Sequence, residues 1–241
     1  MIGYSDSTKD GGYLAGQWGL YSSQWRMAKV AEAFGINLTF FHGRGGSLGR
    51  GGGPAAKSVL SLPEDSFNGT LRITEQGEIL SDRYDNPHIA SRHLEQLACA
   101  VLSKLSDDSA VDSSPWQETI QQLADQSRAA YRELVDHSGF PDYYRQVTPI
   151  NAIEKLPIGS RPSKRRQGDK VENLRAIPWV FSWTQCRCLI PAWFGIGSAC
   201  KQFDDAGNFD VLQNMYDEWI FFKVIIDNAA LALAKTNMPV F

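Results

Sequence analysis

The sequence predicts a helix-rich α/β chain forming part of an eight-stranded (β/α)8 barrel of the TIM type, with long additional helices. Two observations carry this. About four strand-like pieces are separated by long helices, half the number that a complete barrel of this kind needs. The conspicuous polar clusters also follow the carboxyl ends of those strands, where parallel strand-helix barrels carry their reactive groups. The 241 residues are 43% hydrophobic, 21% charged and 11% aromatic, so the chain can bury a sizeable core and falls outside disordered, collagen-like and disulfide-framework compositions.

Residues 1–6 read as the end of a short strand, so the chain begins inside an element, as a piece of something larger does. A glycine pair then opens an apolar helix carrying Leu14, Trp18, Tyr21, Trp25 and Ala28, closed by Gly35. Residues 36–41 are β-branched and aromatic, hence a second strand, which runs into a loop with seven glycines between Gly43 and Gly53. Residues 71–74 make a further extended piece, followed by a helix over residues 87–105 and a polar Ser/Asp linker.

Ser114, Pro115 and Gln117 supply an N-cap, a first-turn proline and a capping-box partner for a helix through Trp116, Ile120, Leu123, Ala130 and Leu134 that stops at Gly139. An apolar run at 156–158 leads into the basic loop GSRPSKRR. Residues 176–183 (AIPWVFSW) read as a strand whose Pro178 falls where no ladder donor is needed. A helix-rich tail spans 209–235, and the whole is read as one unit, residues 1–241.

With 27 acidic and 24 basic side chains the formal charge is −3, so any anion site must be local and nothing draws the molecule as a whole to nucleic acid or an anionic membrane. The most apolar stretch of the tail, 219–226, is broken by Lys223 and followed by Asp227, well short of the roughly 20 residues of a membrane span. Four cysteines read as thiols, with no basic-then-apolar leader, predict a reduced, cytoplasmic setting.

Three strand ends carry the chemistry. In YSDSTKD, Asp6 offers a hard oxygen donor for a divalent ion and Lys9 an ammonium for phosphate or carboxylate; a capped turn is the plainer reading. In FHGRGGSLGRGGGP, glycines allow close backbone approach to an oxyanion, and Arg44 and Arg50 present guanidinium forks suited to phosphate or bicarbonate. His42 at its mouth is an acid-base or electrostatic candidate. This is neither a P-loop nor a dinucleotide fingerprint, and a single unrepeated copy argues against an RGG-type nucleic-acid tract.

The third end holds Arg161, Lys164, Arg165, Arg166 and Lys170, with Arg175 just before AIPW. Such a run alone is as readily a solvated face; three cationic ends together suit a small, multiply charged anion. Cys186 and Cys188 lack a zinc pattern, His88, His93 and His137 read as surface or capped residues, and the tryptophans read as core.

GYSDSTKDGG, FHGRGGSLGRGGGP, RITEQGE, GSRPSKRR and LRAIPWVFSWTQ, in this order, resemble the carboxy-terminal half of phosphoenolpyruvate carboxylase of the bacterial and plant type. The resemblance covers residues 3 to about 193 closely and the tail more loosely. It implies the carboxy-terminal half of the barrel, a homotetramer, and the Mg²⁺- or Mn²⁺-dependent joining of phosphoenolpyruvate to bicarbonate, giving oxaloacetate and phosphate. By the same resemblance Asp6 is a metal ligand and Lys9 a catalytic lysine, while His42 and Arg44 handle substrate. Arg50 serves bicarbonate chemistry and binds an inhibitor of the aspartate or malate kind, Arg161 and Arg175 flank the phosphate, and Lys235 binds the inhibitor.

Gln167-Gly168-Asp169-Lys170 departs from the family's proline and paired glycines. Against the resemblance, the family's amino-terminal histidine motif and the second metal-binding carboxylate are missing from this chain, which implies that the piece alone is inactive. A non-catalytic fragment that retains phosphoenolpyruvate or aspartate is the competing expectation.

Overall fold

The computed structural model describes residues 1–75, 77–106, 111–156, 162–165, 168 and 171–238. Its sheet has three parallel strands in sequence order: Ile2–Gly3 (β1), Phe41–Gly43 (β2) and Arg72–Thr74 (β3). Gly3 lies opposite Gly43, and Gly43 opposite Thr74, so all three strands end level along one carboxyl edge. Parallel neighbours need long crossovers. Two helices, Tyr4–Gly11 (α1) and Tyr13–Ala33 (α2), make the first crossover; the glycine loop and Ala55–Leu60 (α3) make the second.

Beyond β3 come Gly77–Tyr84 (α4), Pro87–Ser106 (α5), Gln117–Val135 (α6), Phe140–Val147 (α7), Ile150–Ile153 (α8) and Ala176–Thr184 (α9). Ile196–Asp205 (α10), Phe209–Glu218 (α11) and Ile220–Ala234 (α12) complete the described helices. None of them is long and apolar enough to cross a membrane.

Two apolar clusters hold the helices. Leu14 and Trp18 of α2 pack with Ile120 and Leu123 of α6, Ala199 of α10, Met215 of α11 and Ile225 of α12. Tyr131 of α6, Tyr144 of α7, Ile150 of α8 and Trp179, Val180 and Trp183 of α9 form the second. A smaller cluster of Ile2, Tyr4, Ala28 and Phe40 underlies the sheet. Trp18, Trp179, Trp183 and Trp219 are buried, and Trp25, Trp116 and Trp193 are half-buried.

The α/β class and the helix-rich composition agree with the sequence, but three local expectations are corrected. The stretch 176–183 is helix α9, not a strand. A continuous apolar run buried on all sides has no periodicity to separate the two states, and Pro178 sits in the first helical turn, where its missing N–H is not required. The first strand ends at Gly3, so Tyr4, Asp6 and Lys9 are helical. The second strand begins at Phe41, residues 36–40 running into it without ladder bonds. The four strand-like pieces thus become three strands among the described residues.

Candidate functional site

Because β1 passes into α1 without a linker, the first helical turn rises directly from the carboxyl edge of the sheet. Asp6 and Lys9, three residues apart, share a face of that helix. The Asp6 carboxylate accepts from Arg165 Nη2 at 3.0 Å. Burial pushes the Lys9 ammonium below its usual range, Arg165 pushes the same way, and Asp10 and Asp6 oppose both. The Tyr131 hydroxyl of α6 donates to the Lys9 carbonyl at 2.9 Å, pinning the turn that carries the lysine.

Arg165 reaches α1 because its loop folds back on the segment before α9. The Arg165 amide donates to the Asn173 carbonyl at 2.7 Å, and the Arg175 amide to the Ser163 carbonyl at 2.9 Å. Arg175 thereby becomes the N-cap residue of α9, the helix that packs on α1. Its Nε is buried and finds no hydrogen-bond partner among the described residues.

On the central strand, His42 is only 4% exposed, with Nδ1 3.0 Å from the Tyr4 hydroxyl. Burial first, then the Arg44 guanidinium and the chain's amino terminus, hold the imidazole down at about 4, so it is neutral at pH 7. The Arg44 amide donates to the Thr74 carbonyl at 3.2 Å, continuing the strand register. Its side chain turns inward: Nε donates to the Gly51 carbonyl at 2.6 Å, and Nη1 donates to Ser58 Oγ.

The glycine loop is folded on itself. Gly45 N donates to the Arg50 carbonyl at 2.7 Å and Gly52 N to the Ser47 carbonyl at 2.8 Å, so these amides serve the loop itself. A Cβ at Gly52 would lie 2.1 Å from the Gly46 carbonyl oxygen, which makes that glycine a steric requirement. Arg50 is buried within this fold, 3% exposed, its side chain against Gly45.

Asp6 and Lys9 on α1 and Arg50 in the turn Leu48–Arg50 thus sit on elements that touch each other and α9, the helix Arg175 caps, while His42 and Arg44 join α1 through Tyr4. Lys235 stands differently, exposed at the end of α12. An earlier turn of that helix does reach the loop, with Asn228 Oδ1 3.4 Å from a Cβ placed on Gly53. Arg161, Arg166, Gln167, Asp169 and Lys170 lie outside the described residues.

Four contributors escaped the sequence reading. Tyr4 lies inside the YSDS motif, in a stretch that reads as strand; Arg165 is one of several cations in a run, with nothing local to mark it out; Tyr131 carries no local signal. Glu75, directly after β3, is nearly enclosed, pairs with Arg83 and lies 3.7 Å from His93 Nε2. His93 is therefore half-buried beside Glu75, not a surface residue. All four cysteines are free, and Cys186 and Cys188 follow a helix.

A divalent ion requires several oxygen donors. Asp6 offers one carboxylate, already engaged by Arg165, and no group of three His, Cys, Asp or Glu side chains lies together among the described residues. The donors described here do not by themselves make a metal site.

The family model of phosphoenolpyruvate carboxylase matches residues 1–241, the full length of the chain. The chain belongs to the phosphoenolpyruvate carboxylase family. Phosphoenolpyruvate carboxylase of Thermosynechococcus vestitus is 44% identical over 245 residues, covering 100% of this chain and 24% of the relative. That of Aromatoleum aromaticum is 46% identical over 246 residues, covering 100% of this chain and 27% of the relative. That of Roseiflexus castenholzii is 45% identical over 254 residues with the same coverage, 100% and 27%. The chain spans about a quarter of the length of the curated relatives it matches.

Proposed function

We propose that this chain carries part of the active site of a phosphoenolpyruvate carboxylase, on a segment of a (β/α)8 barrel, and that residues 1–241 act as a single unit. One observation supports the reading above the others: motif residues far apart in sequence lie on elements in contact, Asp6 and Lys9 on α1, Arg50 and Arg175 on or capping elements that touch it, and His42 and Arg44 joined to it through Tyr4.

The chemistry asks for cations. A bicarbonate oxygen attacks phosphorus as the bond from phosphorus to the enol oxygen breaks, giving carboxyphosphate and the enolate of pyruvate. Carboxyphosphate divides into CO₂ and phosphate, and the enolate carbon bonds to CO₂, giving oxaloacetate. Negative charge moves from the phosphoryl oxygens to the enolate and back to phosphate, so fixed positive groups that need no reorganisation lower the barrier. In this reading Lys9 and Arg175 face the phosphoryl oxygens, His42 and Arg44 the substrate, and Arg50 bicarbonate, with Arg161 beside the phosphate.

The same proposal gives Asp6 to a divalent ion as one of its ligands, Lys235 together with Arg50 to an aspartate or malate inhibitor, and the whole protein to a cytoplasmic homotetramer. The engagement of Asp6 by Arg165 favours a second reading, a piece that retains phosphoenolpyruvate without turnover.

Reconstitution separates the two. The chain is mixed with a separately expressed polypeptide covering the remainder of a relative, and oxaloacetate is followed by its NADH-linked reduction. Turnover is expected only in the mixture and is abolished by Lys9→Ala. Binding of phosphoenolpyruvate with no oxaloacetate at any ratio overturns the catalytic reading.

A further inference from the structure

We propose that Tyr4 is a positioning residue for His42: its hydroxyl donates to Nδ1 and fixes the ring as the tautomer protonated on Nε2, so that His42 presents an N–H to an anion and not a lone pair. One hydrogen bond joins the first residue of α1 to the middle of β2: Tyr4 Oη lies 3.0 Å from His42 Nδ1, with both side chains buried. Either atom could donate on distance alone.

Accounting for the hydroxyl proton decides the direction. If Nδ1 carried the proton, the Tyr4 oxygen would accept and its own O–H would need another acceptor; among the described residues His42 is its one hydrogen-bond partner. A buried hydroxyl left without an acceptor carries the full desolvation cost of that donor, whereas donation to Nδ1 satisfies the proton and the ring lone pair in one bond.

Ring position is fixed as firmly as ring protonation. The Tyr4 ring packs 6.2 Å from the imidazole, centroid to centroid, and the Gly51 backbone closes over it, a Cβ there falling 2.6 Å from Tyr4 Cγ. With Nδ1 engaged, Nε2 is the ring nitrogen without a partner among the described residues. A neutral N–H donor there stabilises an enolate or phosphoryl oxygen without exchanging a proton with it. That last step deepens the carboxylase reading; the tautomer does not depend on it.

The test is the tautomer itself, read from long-range ¹H–¹⁵N correlations of the histidine rings in the 241-residue chain at pH 7.5. The chain has four histidines, and His42→Gln identifies the signal. Protonated Nε2 with unprotonated Nδ1 is expected in the natural chain, and Tyr4→Phe is expected to reduce the excess of that tautomer about fivefold. A proton on Nδ1 in the natural chain overturns the proposal whatever the variant does, as does a tautomer ratio unchanged in Tyr4→Phe. Inorganic phosphate, added as a probe, is expected to move the Nε2–H resonance; a fixed resonance counts against His42 as an anion contact, and so against the functional reading, while the tautomer is judged on the first measurement.

Discussion

Around α9, the rings of Phe140, Tyr144, Trp179 and Trp183 interleave at centroid separations from 4.7 to 6.4 Å, and Trp179, Trp183 and Tyr144 are closed to water. At the sheet, the apolar cluster beside His42 and Arg44 is small: buried Ile2, Tyr4, Ala28 and Phe40, with half-buried Leu20 and Leu38 packed against them. One region is held by apolar area and ring packing. The other is held by directed bonds, Tyr4 to His42, Arg44 to Gly51, Tyr131 to Lys9, and by glycines that let backbone meet backbone. Stability and placement are therefore separable here: substitutions near α9 should unfold the chain, and substitutions at the sheet edge should chiefly misplace it.

The largest effect expected on that basis is Trp179→Ala, which leaves a cavity in a close-packed aromatic core and costs about 3–5 kcal/mol in urea-unfolding free energy. A cost below about 1 kcal/mol would break the comparison.

Next comes acid. His42 titrates near 6.5 when unfolded and at about 4 when folded, so between those pH values the unfolded chain holds a proton that the folded chain lacks. Stability falls as pH drops through that window, by roughly 3 kcal/mol from this group. His42→Gln should flatten the difference between urea midpoints measured at pH 7 and pH 4.5; an unchanged slope would place the acid sensitivity elsewhere.

Smallest is the Asp6 and Arg165 pair, whose side chains are 66% and 54% exposed. Arg165→Ala should change stability by less than about 1 kcal/mol. It should also raise the Lys9 ammonium toward its ordinary range, since Arg165 is one of the groups depressing it; NMR of the lysine side chain reads that shift. A large loss of stability would show that the edge is held by its charges after all.

The long helices α2 and α6 were legible from their apolar spacing; the capping box expected at Ser114 and Gln117 does not form, because Ser114–Trp116 is a separate short turn and Trp116 holds the N-cap position of α6 with no side-chain cap. The stretch that became α9 was not legible, since apolar residues on every side erase the period that marks a helix. The shift of the second strand has a different root: residues 36–40 have strand composition, but ladder pairing is decided by the neighbouring strands, which meet it only from Phe41. At the candidate site, motif residues were legible by type and order. Their supports were not, because Tyr4 meets His42 across 38 positions and Tyr131 meets Lys9 across 122, and no local pattern encodes such distances.

The reach of Tyr131 from the aromatic interior to the backbone of Lys9 has a practical corollary for anyone altering this chain. Its ring packs in the same buried cluster as Trp179, so the lysine's seat is bolted to the same girder that carries the bundle. An engineered interior that keeps its melting point while tilting that tyrosine would still look sound by every bulk measure, and it would have moved the ammonium off target.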